Sequence, residues 1–190
     1  MSTRQFLILS ALAIISLAQS PPSCRTFPTD DSWPATDVWD AFNRSIDGRL
    51  VKTIPVGTPC HDPNFDEQKC SIVQESWHQY EFHEAIPASI MDPIFLNQTC
   101  DPFTSRNQPC TLGNYVTYAV NVSSPDHIIK TVRFVKEHNV RFVVKNTGHD
   151  YLGRSTGAGA VSVWTHNLRD ITWLPTYQSS EYTGPALKVS

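Results

Sequence analysis

No cluster of Lys or Arg, no Cys-x2-Cys pair, no low-complexity tract and no long internal repeat occurs in this 190-residue sequence. Each absence excludes something. A net charge of −3 with dispersed basic residues argues against nucleic acid or an anionic membrane as a partner. Beyond residue 20 no stretch is apolar enough to span a bilayer. Without Cys-x2-Cys spacing, zinc is the weaker reading of the five cysteines, and no metal site is expected. The glycine-bearing stretch Gly153–Gly159 matches neither a P-loop nor the G-x-G-x-x-G fingerprint. Nothing resembles a Ser or Cys nucleophile triad.

What is present begins with an export signal. Arg4 supplies a positive start, Phe6–Leu17 is apolar, and Ser16-Leu17-Ala18 is a small-x-small cleavage site. Residues 1–20 therefore read as a secretory signal peptide, which implies a secreted, extracellular protein with a mature chain of about 170 residues, enough for one core. Sequons at Asn43, Asn97 and Asn121 agree with glycosylation during export. In that compartment disulfides are the default. Cys60 to Cys70 and Cys100 to Cys110 each enclose a short loop containing Asp-Pro, and these two pairings are predicted. Each is worth roughly 2–3 kcal/mol for so small a ring. Cys24 is the fifth cysteine.

Periodicity predicts a helix capped by Asp31 or Ser32, with Val38, Trp39, Phe42 and Ile46 on one face and Gly48 at C′. An extended stretch follows over residues 49–54, then a helix over residues 65–80 and an irregular segment over residues 86–109. From Cys110 the pattern changes. Residues 114–120 read as a strand, and Ser124-Pro125-Asp126 starts a helix whose buried stripe is Ile128, Ile129, Val132 and Val135. Residues 140–144 form the next strand, which completes a β-α-β unit with parallel strands. Residues 157–165 and 167–173 read as further extended pieces. Ala186–Ser190 begins another strand with no partner in view, as in a truncated domain.

The most informative segment runs from Arg141 to Ser155. A β-branched, aromatic strand enters Asn-Thr-Gly and presents His149, while Gly148 lets consecutive amides form an anion-binding nest. An imidazole beside a phosphate-sized nest suits a phosphorylated cofactor. The other histidines carry less: His78 and His83 read as surface groups near Glu81 and Glu84, and His61 as a local hydrogen-bonding residue in a disulfide loop.

Lys145-Asn-Thr-Gly-His-Asp-Tyr-Leu-Gly-Arg-Ser-Thr-Gly-Ala-Gly-Ala160 closely resembles the flavin-attachment region of secreted fungal FAD-linked oxidases. These belong to the vanillyl-alcohol-oxidase superfamily and are related to berberine-bridge-like enzymes and isoamyl alcohol oxidase. Cys60-His-Asp-Pro-Asn64, Pro109-Cys-Thr-Leu-Gly-Asn-Tyr-Val116 and Val163-Trp-Thr-His-Asn-Leu168 extend the resemblance over most of the chain. It implies an α+β chain with a PCMH-type FAD-binding fold, its first α/β subdomain occupying residues 111–190 and incomplete at the C-terminus. A disulfide-containing extension over residues 21–110 precedes it. It also implies FAD, linked covalently through His149, with Lys145, Asn146, Thr147, Gly148, Asp150, Tyr151, Gly153, Arg154 and Ser155 wrapping the pyrophosphate. The implied reaction passes hydride from a small alcohol or carbohydrate to the flavin and then to O2, giving hydrogen peroxide. The family's catalytic base and substrate domain fall beyond residue 190, so no catalytic residue is expected here. The chain then reads as an incomplete or inactive fragment with weak flavin retention. The alternative is a non-catalytic secreted glycoprotein, a remnant of such an oxidase, and a carbohydrate-binding module is a third reading.

Overall fold

A computed structural model describes residues 24–189, so the leader expected over residues 1–20 lies outside the described part. Helix α1 (Thr36–Ser45) turns Trp39 and Phe42 inward, with Ile46 buried just past its end, as the spacing predicts. Its start differs. Ala35 occupies the N-cap rather than Asp31 or Ser32. The upstream residues are used in a turn, where Asp30 accepts the Phe27 amide through its carboxylate at 2.7 Å and the Trp33 amide through its carbonyl at 2.9 Å. Pro34 also disfavours a helical Trp33 before it. The helix ends in a Schellman pair, Gly48 to Asn43 at 2.9 Å and Asp47 to Arg44 at 3.3 Å. Asp47, not Gly48, thus holds C′, at φ 58°. Its carboxylate accepts from His127 Nε2 at 3.0 Å, which offsets the left-handed backbone.

The single helix expected over residues 65–80 is two. Helix α2 (Glu67–Ser76) is capped by Asp66, whose carboxylate accepts the Lys69 amide at 3.0 Å. A turn closed by the Gln79 amide on Ser76 O at 2.9 Å separates it from α3 (Tyr80–Glu84). Residues 86–109 are irregular apart from one 3-10 turn over Pro93–Leu96. Both predicted disulfides form, Cys60–Cys70 and Cys100–Cys110, with Cα separations of 4.8 and 4.3 Å. Buried His61 joins the two loops through Nε2 and Asp101 O at 3.0 Å, consistent with a local hydrogen-bonding role. Gly57 backs onto the same knot: a Cβ there would lie 1.9 Å from Cys100 O. Gly57→Ala is therefore expected to lower stability by about 3 kcal/mol, measured by thermal unfolding.

Strand β1 (Leu50–Lys52) pairs antiparallel with β2 (Tyr118–Asn121). Strand β2 starts later than expected because residues 112–115 turn, with the Tyr115 amide on Leu112 O at 2.9 Å. Helix α4 (Pro125–Glu137) carries the chain to β3 (Arg141–Lys145), and β4 (Ala160–Trp164) follows. The sheet order is β1-β2-β4-β3, with β2, β4 and β3 parallel. The β-α-β unit therefore has the expected parallel strands, but β4 inserts between its two members. All five residues of β4 are buried, as a central strand covered on both faces requires.

Helices α1 and α4 pack on this sheet. Trp39, Phe42 and Phe134 meet Val120, Val161 and Val163, and the Phe42 and Phe134 rings stack at 4.2 Å. Residues 21–110 thus contribute a helix and a strand to the same core and sheet as residues 111–190. The buried stripe of α4 is His127, Thr131, Phe134 and Val135, with Ile128 half-buried. The expected Ile129 and Val132 are 47% and 43% exposed. Local hydrogen bonds explain the rotation. Thr131 Oγ1 donates to His127 O at 2.7 Å, and His127 is held by Asp47 and by the Ser123 amide, so two polar residues can face the core.

The C-terminal strand has a partner after all. Strand β5 (Ile171–Gln178) pairs antiparallel with β6 (Thr183–Val189). Ile171, Trp173, Leu187 and Val189 are exposed on this hairpin. The register shifts between Leu174 and Tyr177, where Pro175 has no amide to give. Among the described residues no helix is long and apolar enough to cross a membrane.

Candidate functional site

The site is built at the carboxyl end of β3, where its pairing to β4 closes with the Thr165 amide on Lys145 O at 2.8 Å. Beyond it the chain turns sharply, with Gly148 at φ 89°. The turn is pinned from one side by the Met91 amide, which donates to Gly148 O at 3.2 Å. A Cβ on Gly148 would lie 3.1 Å from Lys145 Cε and 3.3 Å from both Ile90 Cα and Ser89 O, so glycine permits the approach as well as the positive φ. The amides of Thr147, Gly148 and His149 meet no acceptor among the described residues. Three successive donors without an acceptor, the middle one on buried Gly148, are the groups this turn could offer an anion.

His149 stands at the end of that nest with its side chain 44% exposed. Its Nε2 lies 2.8 Å from Glu84 Oε1, and its ring is 5.7 Å from that of Tyr80. Nδ1 makes no hydrogen bond among the described residues.

The remaining predicted residues divide in two. Lys145 is buried, 1% exposed, and its ammonium faces inward, donating to Ile86 O at 3.1 Å, His83 O at 3.4 Å and Asn146 O at 3.5 Å. Burial pushes it down to about 8, although Glu84 pulls the other way. Its role in this structure is to hold α3 against the base of the turn, with no reach towards an anion outside. Asp150 folds the next turn around its own carboxylate. Oδ1 accepts the Leu152 amide at 2.8 Å, and Oδ2 accepts the amides of Arg154 at 2.5 Å and Ser155 at 2.9 Å. Burial alone would raise its carboxyl; the amides of Leu152, Ser155 and Arg154 more than reverse that and leave it below the usual carboxylate range. The expected wrap therefore splits. The amides of residues 147–149 meet no acceptor among the described residues, whereas those of Arg154 and Ser155 are already taken. Tyr151 is 75% exposed, and Gly153, at φ 69°, packs against Phe95.

His78 is exposed as expected, but His83 is buried, contrary to a surface role. Its Nε2 donates to Trp77 O at 2.8 Å, so Nδ1 accepts from Ser89 Oγ at 2.6 Å, and burial pushes its protonation down. Ser89 is equally buried. The pair serves as scaffold for α3, without access for a substrate. Sequence reasoning missed this scaffold and Glu84, because His149 meets a residue 65 positions upstream and no motif links them.

No family model matches the chain. It is similar to the FAD-linked oxidoreductase patO of Penicillium expansum, at 50% identity over 183 residues, 96% of this chain and 32% of that protein. Its structure resembles the VAO-type flavoprotein MtVAO615 of Myceliophthora thermophila with a TM-score of 0.82 at 41% identity, covering 88% of this chain and 31% of that one. MtVAO713 of the same organism follows, with a TM-score of 0.78 at 35% identity over 88% of this chain and 31% of that one. The chain spans about a third of the length of the curated relatives it matches.

Proposed function

Over about a third of its members' length this chain belongs to the family of FAD-linked, VAO-type flavoproteins, and on that premise we propose that it forms the flavin-anchoring part of a secreted oxidase. FAD is its cofactor, tethered through His149. The observation that carries this reading is one juxtaposition. An exposed imidazole with an unengaged Nδ1 adjoins the amides of Thr147, Gly148 and His149, which meet no acceptor among the described residues. Both lie at the carboxyl end of a parallel strand, where open α/β sheets place their ligands.

The residues fit the group. The amides without an acceptor suit a diphosphate, Nδ1 suits a covalent tether, and Lys145 and Asp150 fix the turns on either side. When bound, the flavin supplies hydride acceptance and reaction with O2, so a small alcohol or carbohydrate would be the reductant and hydrogen peroxide the product. A tether also prevents loss of the cofactor outside the cell. The leader-like residues 1–20 and the two disulfides support that extracellular setting. Among the sequons, Asn97 is exposed and is the best placed for a glycan; Asn43 and Asn121 are half-buried, their amide oxygens bonded at 2.9 and 2.8 Å.

The test is direct. The chain, secreted from yeast with its own leader, is acid-denatured and its gel band examined for flavin fluorescence. Wild type is expected to carry acid-stable flavin at low occupancy, in keeping with the weak retention expected of an incomplete FAD-binding fold, and His149→Ala none. Absence of any bound flavin from the folded wild-type chain would refute the assignment.

A further inference from the structure

The Glu84 carboxylate is only partly exposed, and His149 is its partner. Glu84 sits at the end of α3, a helix of five residues that would have no fixed position alone. A buried cluster fixes it instead. The neighbouring His83 is bonded on both ring nitrogens, to Trp77 O and Ser89 Oγ, and the carbonyls of His83 and Ile86 receive the Lys145 ammonium. Glu84 is thereby delivered to His149 with little further ordering needed, its side chain only 20% exposed. The Tyr80 ring, from the same helix, lies beside the imidazole at 5.7 Å.

Resting on the reading of His149 as the flavin tether, we infer that Glu84 is the positioning residue that makes His149 nucleophilic. A carboxylate only accepts, so the Nε2 it contacts carries the ring proton and the lone pair stays on Nδ1. Were Nδ1 to bond the 8α carbon of a bound flavin, that carbon would give up one hydrogen as a proton. The Nε2 proton passes to Glu84, and the ring ends neutral. Bound flavin would pass the released electron pair to O2, which with those two protons would give hydrogen peroxide. A surface ion pair with no further role would move stability alone.

Two readouts separate these. Reaction of the chain with diethyl pyrocarbonate, after production under riboflavin limitation, measures the nucleophilicity of the His149 ring without flavin, by mass spectrometry of its peptide. Glu84→Ala is expected to slow it on the order of tenfold, with Glu84→Gln between and Glu84→Asp recovering part of the loss. Acid-stable flavin per chain should fall in the same order. Equal rates in all four proteins overturn the inference, as does unchanged covalent flavin in Glu84→Ala. If the rates follow the order while no protein carries covalent flavin, the coupling stands and the tether reading fails. Glu84→Gln, which keeps an acceptor oxygen without charge, decides the matter should Glu84→Ala not fold.

Discussion

Asp150→Ala unravels the turn over residues 150–155 and cuts flavin retention on the order of 100-fold. The wild-type carboxylate receives three backbone amides, from Leu152, Arg154 and Ser155, and nothing else nearby replaces it. Each bond to a charged acceptor, discounted for exposure, contributes roughly 1 kcal/mol. Their joint loss, about 3 kcal/mol, is a factor of about 100 in an equilibrium constant. Asp150→Asn keeps one acceptor oxygen and should fall between. Two measurements check this, both made with His149→Ala as the background so that flavin is not tethered: flavin lost on gel filtration, and tryptic cleavage after the exposed Arg154, which should accelerate as the turn opens. Tighter flavin binding in Asp150→Ala would show the opposite, that the carboxylate competes with the diphosphate for amides. The pH dependence has a definite sign. The folded carboxyl lies below its ordinary value of 3.8, so this stabilisation is fully present above 3.8 and is lost as pH falls through the lower folded value.

How far the sequence disclosed this arrangement depends on what kind of contact made it. The Asp-Pro loops gave both disulfides, because a short ring between cysteines is a local feature. The strand-turn at Val143–Gly148 was equally legible, since β-branched residues and a glycine are read in place. Three things were not. The stripe of α4 is rotated because His127 and Thr131 are buried with their bonds satisfied, which apolar periodicity cannot register. The insertion of β4 between β2 and β3 is a matter of sheet order, and spacing along the chain carries no trace of it. Most consequential for function, the family resemblance placed Lys145 among the residues that wrap the pyrophosphate. Its direction is set by carbonyls of residues 83 and 86, some sixty positions earlier. The same distance hid Glu84. Local chemistry thus located the site, and long-range packing determined which of its groups face outward.

That inward-facing lysine yields the other large effect, a stability that rises with pH. Burial lowers the Lys145 ammonium from 10.5 to about 8 in the folded chain, while in the unfolded chain it keeps its ordinary value. Between these values the unfolded state binds the proton and the folded state does not, so stability climbs with pH across that window and is flat below it. The gain is about 3 kcal/mol over the full window. Tyr115, raised by burial from 10.0 to about 12, works against it at the top, as do Tyr118, raised by burial, and Tyr80, raised by its bond to Glu81, because the unfolded chain ionises first there. Thermal midpoints measured from pH 7 to pH 10 should therefore rise for wild type and stay level for Lys145→Met. The slope is the right readout, since the absolute midpoint mixes opposing terms: Met removes a buried charge, yet strands the carbonyls of His83, Ile86 and Asn146. A wild-type midpoint that falls over the same range would mean the ammonium is not confined. The Lys145 link between α3 and β3, on which the placing of Glu84 beside His149 depends, would then have to be abandoned.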